Sequence, residues 1–160
     1  MTNIISGLQR QFRRFIKRFP WLIRGAYYVY RRFQRRYSVG VVGVLWNERG
    51  EVLLVEHVFH PQIPWGLPGG WIGADEDPSY AVCRELKEEL GLDVEVIRVV
   101  LVDKTHPWHL DMAFDCRTAS PVSNLSYELT DYRWTKPQEL PRLHKFHYDA
   151  IMLSCPPGEA

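Results

Sequence analysis

The sequence has few cysteines and no long apolar run, and both shortages narrow the class of protein. Its 160 residues include three cysteines, Cys83, Cys116 and Cys155, which are odd in number and lack the spacing of zinc ligands. We therefore expect reduced thiols in a cytoplasmic protein rather than a disulfide framework. No apolar stretch reaches the length of a membrane span, and we expect no secretory signal because arginines interrupt the apolar residues near the start.

Acidic residues are missing from the first 36 residues. This segment holds ten of the twenty Lys and Arg residues and none of the nineteen Asp and Glu residues, so its formal charge is +10 and that of the remainder is −9. The length suffices for one domain with a sizeable core but not for two. We predict a basic amphipathic helical extension over residues 1–36 and one domain over residues 37–160.

The extension has an apolar stripe at helical spacing, interrupted by Pro20. The stripe comprises Ile5, Leu8, Phe12, Phe15, Ile16 and Phe19, then Leu22, Ala26, Val29, Tyr30, Phe33 and Tyr37. Three interpretations are open: peripheral contact with an anionic membrane at its inner surface, contact with nucleic acid phosphates, or packing on the domain or on a second subunit in a homodimer. Nucleic acid is the least favoured, because the aromatic residues lie on the stripe rather than among the arginines.

A helix with two marked ends is predicted over residues 78–90. Asp77 is a good N-cap, Pro78 suits the first helical position, and Gly91 suits the left-handed residue that follows a helix. Small or apolar residues at spacings of three and four predict the side that packs on the core. They are Ser79, Val82, Cys83, Leu86 and Leu90.

Three carboxylates share another face of this helix. Glu85, Glu88 and Glu89 stand at positions i, i+3 and i+4, within reach of a single ion. Arg84 can pair with Glu88 across one turn, but one arginine does not neutralise three carboxylates. Oxygen ligands at this spacing suit Mg²⁺ or Mn²⁺, and the alternative for a Glu-rich helix is a solvated face.

Glycines and fixed spacing distinguish this helix from an arbitrary Glu-rich one. Gly69 and Gly70 allow the backbone to come close to a phosphate. The defined positions are Gly70, then after five residues Glu76, after seven more Arg84-Glu85-Leu86, after one Glu88-Glu89, and after one Gly91-Leu92. This pattern resembles the Nudix box at every defined position, and so many fixed positions are far more specific than a lone glycine motif.

The resemblance implies a hydrolase that uses a divalent metal to cleave the pyrophosphate of a nucleoside diphosphate linked to another group. By this resemblance Glu88 and Glu89 are metal ligands, and Glu85 is a third ligand or the base that deprotonates the attacking water. Glu76 and Arg84 look like the residues that brace the loop. Mg²⁺ or Mn²⁺ would offset the charge of the phosphate oxygens and help to generate hydroxide.

The segments around the box predict further strands and helices. Nearly continuous apolar runs predict buried strands at residues 38–46 and 94–102, and residues 51–59 predict a hairpin partner for the first strand. A last strand is predicted at residues 127–134, and short helices at residues 137–140 and 148–153. The predicted class is α/β, and this order agrees with the α/β/α sandwich with a mixed sheet that the Nudix resemblance implies.

Two features near the box have alternative interpretations. Trp65, in a proline-rich loop, either stacks on a base or sugar of the substrate or is a hydrophobic plug. Residues 109–117 alternate, and Leu110, Met112, Phe114 and Cys116 are the predicted core set. The opposite set lines the substrate groove or meets solvent, and solvent is slightly favoured; its members are His109, Asp111, Ala113, Asp115 and Arg117.

The histidines form two pairs with a spacing of three. His57 and His60 make one pair, and His144 and His147 the other, but neither pair has further ligands at zinc spacing. We therefore expect surface or loop histidines.

The prediction of the substrate depends on a single residue. Pro107 stands about fifteen residues beyond the box, a position typical of Nudix enzymes that cleave ADP-ribose, so ADP-ribose or a nucleotide sugar is favoured. A mutator-type nucleoside triphosphate pyrophosphohydrolase shares the same box. A binding module without catalysis is the competing class, although such a domain is expected to have lost box carboxylates, and all three are present here.

Overall fold

The computed structural model describes residue 13 and residues 16–154, and the chain divides into two compact units, Met1–Arg36 and Tyr37–Ala160. In the first unit, helix α1 (Pro20–Phe33) begins at the proline that was predicted to interrupt the extension, and none of its residues is buried. Most of the stripe predicted before Pro20 lies outside the described residues. None of the described helices is long and apolar enough to cross a membrane.

The second unit contains two sheets. In chain order its strands are β1 (Ser38–Leu45), β2 (Val52–His57), β3 (Trp65–Gly66), β4 (Gly69–Trp71), β5 (Val94–His106), β6 (His109–Thr118) and β7 (Leu129–Thr135). One sheet has the order β4-β1-β6-β5, in which only the β1–β6 pair is parallel, and the other has the antiparallel order β3-β2-β7. The predicted mixed sheet is therefore confirmed.

Two helices cover opposite faces of these strands and bury two cores. Helix α2 (Pro78–Leu90) packs on the face where β1 contributes Val41 and Leu45, and helix α3 (Lys145–Leu153) is on the face where β1 contributes Val42 and Val44. Successive residues of a strand point to opposite faces, so a strand covered on both sides reads as a continuous apolar run. The predicted α/β/α sandwich is confirmed.

The predicted hairpin of β1 and β2 is wrong. Among the described residues these strands share one isolated bridge, between Trp46 and Val52, and then enter different sheets. Both edges of β1 are already paired with β4 and β6, so β2 has no edge of β1 to pair with. The sequence marks the turn between the strands but not the competing partners.

Three smaller predictions also need correction. Tyr37 lies beyond α1 rather than on its stripe, and its ring packs edge-on against Trp108 at 5.7 Å between centroids. Strand β5, predicted to be buried, has no buried residue because it lies at the edge of its sheet, whereas the short helix predicted at residues 137–140 is present as a 3₁₀ helix (Pro137–Glu139). On β6, Ala113 is fully buried in the core under α3 and not exposed to solvent, because both faces of the sheet are covered.

Candidate active site

Helix α2 holds the box carboxylates, and its predicted ends are confirmed. Asp77 caps the start, where its side chain accepts a hydrogen bond of 2.8 Å from the Ser79 N–H. Gly91 follows the helix in the left-handed region, at φ 68°. Ser79, predicted to lie on the packed side, is exposed. The packed side instead includes a carboxylate, that of Glu89.

Arg84 ties the carboxylates together. Its guanidinium donates two hydrogen bonds to Glu76, of 2.8 and 3.0 Å, one of 2.9 Å to Glu85 and one of 3.1 Å to Glu88. A further donation of 3.1 Å reaches the carbonyl of Trp71. The bonds from Arg84, with one from the Gly73 N–H, lower the pKa of Glu76 to about 2. Glu76 and Arg84 thus connect the loop before α2 to the helix itself.

Glu89 is a buried carboxylate beside the glycines of the box. It is 6% exposed, and one oxygen accepts a hydrogen bond of 2.9 Å from the Gly69 N–H. Burial raises the pKa of Glu89 to about 8, against the effect of that bond, and burial also raises the pKa of Glu85 despite Arg84. We call Glu76, Glu85, Glu88 and Glu89 the carboxylate cluster. It carries more negative charge than one guanidinium can offset, which is the environment that a cation stabilises.

The oxygen atoms of the carboxylate cluster are suitable ligands for a hard divalent cation, although the side chains do not all point toward one position. Among the described residues, no group of three acidic, histidine or cysteine side chains is close enough together to hold a metal. The side chain of Glu88 is 59% exposed and turned toward Arg84, while Glu85 and Glu89 are adjacent to the box glycines. All the donors are oxygens, as Mg²⁺ and Mn²⁺ prefer.

The two predicted phosphate-loop glycines differ in what an added side chain would meet, which is backbone at Gly69 and the movable carboxyl group of Glu85 at Gly70. At Gly69, where φ is +149°, an added Cβ would stand 2.1 Å from the carbonyl oxygen of Val41. At Gly70 it would stand 2.5 Å from the carboxyl group of Glu85. Both glycines line a groove of about 160 Å³, and Glu85 lies directly against Gly70.

Trp65 also lines this groove, but one face of its ring is covered. The guanidinium of Arg133 lies 4.0 Å from the ring centroid, and the residue is half-buried. Trp71, which follows the box glycines, is instead 63% exposed, and its ring contacts that of His109 at 4.8 Å between centroids. Trp71 is therefore the more accessible aromatic surface of the two.

The same groove is also lined by histidines that are far apart in the sequence. His57, His60, His144 and His147 all line it, and we call them the histidine cluster. The prediction of surface or loop histidines is confirmed for His60 and His144, which are exposed, and is wrong for His57 and His147, which are half-buried in strand β2 and helix α3. The equal spacing within the pairs was the only signal, and nothing in the sequence links one pair to the other.

Two of the β6 residues that were predicted to lie opposite the core set line the same groove. His109 and Asp111 are half-buried and line it, with a hydrogen bond of 3.0 Å between the His109 ring and the Asp111 carboxylate. Asp111 also accepts a bond of 2.5 Å from the Thr105 hydroxyl, and Ser38 is bonded to the other ring nitrogen of His109 at 2.8 Å. His109 and Asp111 therefore line a groove rather than lying fully in solvent, and their contact with a substrate stays a prediction.

Comparisons with known proteins agree with this arrangement. The family model of the NUDIX domain matches residues 35–153. A MutT-like protein from Streptomyces ambofaciens is 35% identical over 105 residues, which cover 65% of this chain and 67% of that protein. An RNA pyrophosphohydrolase from Marinomonas sp. (strain MWYL1) is 44% identical over 73 residues, 46% of this chain and 42% of that protein, so the chain spans less than half of that relative.

Solved structures show the same fold. An ADP-ribose pyrophosphatase from Streptococcus suis superposes with a TM-score of 0.63 at 27% identity, covering 72% of this chain and 87% of the other. A MutT NUDIX hydrolase from Burkholderia pseudomallei gives a TM-score of 0.66 at 22% identity, covering 75% and 99%. With the box complete and the domain matched over most of its length, the chain belongs to the Nudix hydrolase family.

Proposed function

We propose that this chain hydrolyses the pyrophosphate bond of a nucleoside diphosphate derivative, with Mg²⁺ or Mn²⁺ held by Glu88 and Glu89 and with Glu85 as a third ligand or as the general base. The products would be a nucleoside monophosphate and a phosphorylated remainder. The observation that carries the proposal is the buried Glu89 beside Gly69, a costly arrangement that a bound cation would offset.

Each step of the proposed hydrolysis can be assigned to particular residues of the chain. The bound cation supplies charge neutralisation and a water of lowered pKa. Water oxygen forms the new bond to phosphorus, the bridging P–O bond breaks, and Glu85 accepts the water proton if it is not itself a ligand. Gly70 leaves room for Glu85 at the groove, and Arg84 orients Glu85 and Glu88 through its hydrogen bonds. No covalent enzyme intermediate is required.

Two substrate classes have supporting observations. ADP-ribose or a nucleotide sugar is supported by Pro107, in the turn between β5 and β6, and by the similarity to the enzyme from Streptococcus suis. Nucleoside triphosphates are supported by the similarity to the MutT-like protein. A domain that binds nucleotides without cleaving them is the alternative, and the intact carboxylate cluster argues against it.

Turnover of a substrate panel tests the proposal. The full chain is assayed with ADP-ribose, nucleotide sugars, dinucleoside polyphosphates, NADH and oxidised nucleoside triphosphates, in Mg²⁺, in Mn²⁺ and in EDTA. We expect metal-dependent release of a monophosphate from one class and none in EDTA. A folded protein that is silent on the whole panel would refute the hydrolase and favour the binding module.

We also propose that the extension attaches a cytoplasmic protein to an anionic membrane surface. In α1 the apolar residues Leu22, Val29 and Phe33 are exposed, and Arg31 and Arg32 end the helix. An amphipathic helix of this type buries its apolar face at the headgroup boundary, and each nearby arginine adds about 1 kcal/mol.

Vesicle co-sedimentation tests this second proposal. The full chain should bind vesicles containing anionic lipid and not neutral vesicles, and substitution of Val29 and Phe33 by Ser should abolish binding. The substitution Val58→Ser, at an exposed apolar residue of the domain, is the matched control. Binding to nucleic acid instead of vesicles, or a dimer that the Val29 and Phe33 substitutions dissociate, would refute membrane attachment.

A further inference from the structure

The histidine cluster forms a continuous row of rings at one end of the groove. Ring centroids are 5.8 Å apart for His57 and His60, 6.3 Å for His60 and His144, and 6.3 Å for His144 and His147. His60 and His144 are exposed, whereas His57 and His147 are half-buried. Four imidazoles from two distant parts of the chain therefore face one shared space.

The start of helix α3 lies at the same place. His144 is its N-cap residue and makes no side-chain capping bond, so the first N–H groups of the helix have no side-chain acceptor at the cap. The N-terminus of a helix carries partial positive charge and attracts anions. The Nδ1 atom of His147 accepts a bond of 2.7 Å from the Leu67 N–H, which leaves its Nε2 atom to carry the proton and act as a donor.

The half-buried rings are neutral without a ligand. Burial, followed by repulsion from His57 and His144, lowers the pKa of His147 to about 4, although Asp111 acts to raise it. Burial, followed by repulsion from His60, lowers the pKa of His57, and here Glu128 acts in the opposite direction. An anion among the four rings would favour the protonated form of His57. At His147 it would instead accept a hydrogen bond from the Nε2–H group, because a second proton would have to enter Nδ1, which accepts the bond from the Leu67 N–H.

We propose that the histidine cluster and the N-terminus of α3 form a phosphate-binding subsite of the groove. The inference rests on the proposed hydrolase function, because it assigns the subsite to a phosphoryl group of the substrate. Gly66, which lies against His147, and Gly70, which lies against Glu85, are four residues apart, a path of at most about 14 Å. We assign to the subsite a phosphoryl group that the substrate carries beyond the scissile pyrophosphate.

This assignment divides the substrate classes. A dinucleoside polyphosphate or a nucleoside triphosphate carries such a phosphoryl group, whereas ADP-ribose has only the two phosphoryl groups of its scissile bond. The subsite favours the polyphosphates, and it couples their binding to proton uptake, so their apparent KM should rise with pH more than that of ADP-ribose.

Direct binding is measured on the full chain in EDTA, without turnover. The imidazole C–H signals of the four histidines are followed by NMR against pH, with and without inorganic phosphate or pyrophosphate. We expect the pKa of His57 to rise by about one unit, and the ring signals of His147 to shift, with either anion. This response should disappear in the double variant His60→Gln with His144→Gln. The variant His106→Gln, at an exposed histidine outside the groove, should retain it. Titrations that coincide with and without both anions would overturn the subsite.

Turnover distinguishes a substrate phosphate from free phosphate. The ratio of kcat/KM for diadenosine tetraphosphate to that for diadenosine diphosphate, which differ only in phosphate number, should fall about tenfold in the double variant and persist in His106→Gln. An unchanged ratio with intact anion binding would mean that the site takes free phosphate and not the substrate, which overturns the proposal. Anion binding in a chain that hydrolyses nothing would instead refute the hydrolase and leave the subsite standing.

Discussion

Two regions beside the groove, the carboxylate end next to Gly69 and Gly70 and the histidine end next to Gly66, have opposite electrostatic character. At one end the carboxylate cluster surrounds Arg84, and burial makes it difficult for Glu89 to hold its charge. At the other end the histidine cluster lies at the start of α3, and burial makes it difficult for the neutral ring of His147 to take up a second proton. Each end therefore contains groups whose charged form needs a ligand of the opposite sign.

This contrast is the one that the proposed binding of a metal–polyphosphate complex would require. Burial disfavours the charged form at both ends, so it raises the pKa of Glu89 and lowers that of His147. Cation binding at the first end and anion binding at the second would each restore the charges. The tests below alter one end at a time.

The largest effect is expected from Glu89→Gln. The variant keeps an oxygen that can accept the Gly69 N–H and nearly the same volume, but it loses the anionic ligand. Turnover in Mg²⁺ should fall about 10³-fold while the thermal transition remains cooperative. Glu48→Gln, at an exposed turn residue, is the control, and activity within a few-fold of wild type in both variants would remove Glu89 from the metal ligands.

A smaller effect is expected on stability as a function of pH. The pKa of Glu89 is raised from 4.5 to about 8 in the folded protein, so the folded state binds a proton that the unfolded chain has lost. This contribution to stability is complete below pH 4.5 and is lost as pH rises through 8. In EDTA, the stability of wild type relative to Glu89→Gln should fall by about 3 kcal/mol between pH 5 and pH 8.

Urea unfolding of both proteins at matched pH measures this difference. The histidines, whose lowered pKa values change stability with the opposite sign, contribute equally to both proteins. Their contribution therefore cancels when wild type is compared with Glu89→Gln. Addition of Mg²⁺ should reduce the fall, because a cation favours the ionised carboxylate. A difference that does not depend on pH would mean that Glu89 ionises normally and that the carboxylate end is not poised for a cation.

The carboxylate end was predictable because it is local in sequence. Asp77 and Gly91 mark the helix, and the spacing of Glu85, Glu88 and Glu89 alone places them on neighbouring positions of one face. The burial of Glu89 could not be predicted, because it depends on where β4 places the backbone of Gly69 against the helix. Helical periodicity assigns Glu89 to the charged face, whereas tertiary packing buries it.

The histidine end could not be predicted, because it is formed by contacts between residues that are far apart in the chain. The two pairs meet only because β2 and α3 are adjacent to the groove, and the failed hairpin prediction has the same origin. A pattern along the chain gives the type of an element and the side chains on each face. It does not give the neighbours of a strand, and the partners of His57 depend on those neighbours.

A matched pair of glycine substitutions perturbs each end separately. A Cβ at Gly70 would stand 2.5 Å from the Glu85 carboxyl group, and one at Gly66 would stand 2.9 Å from Nδ1 of His147. Because the carboxyl group ends a flexible side chain, Gly70→Ala should displace Glu85 with little loss of stability and reduce kcat about tenfold or more. Gly66→Ala should mainly raise KM for polyphosphates.

Steady-state kinetics with diadenosine tetraphosphate and a thermal melt of each variant check this pair. Reversed effects, with kcat reduced by Gly66→Ala and KM raised by Gly70→Ala, would mean that the roles of the two ends have been exchanged.

The smallest effect concerns the caps of the two helices. Asp77 caps α2 through the Ser79 N–H, whereas His144 occupies the same position at α3, with φ −61° and ψ 143°, and makes no capping bond. Aspartate is a far better N-cap than a residue that makes no such bond, so His144→Asp should stabilise the protein by about 0.5–1 kcal/mol, and Asp77→Ala should destabilise it by about 1 kcal/mol. The same substitution at His144 places a carboxylate where the proposed subsite would bind phosphate, and it should abolish the response of the His57 and His147 rings to phosphate. Stability and anion binding would then change in opposite directions at one residue, as expected where a position is retained for binding at the expense of the helix.

Denaturation in urea and the imidazole titration measure the two effects on the same sample. If His144→Asp were stabilising and still bound phosphate as tightly as wild type, the uncapped start of α3 would have no part in anion binding.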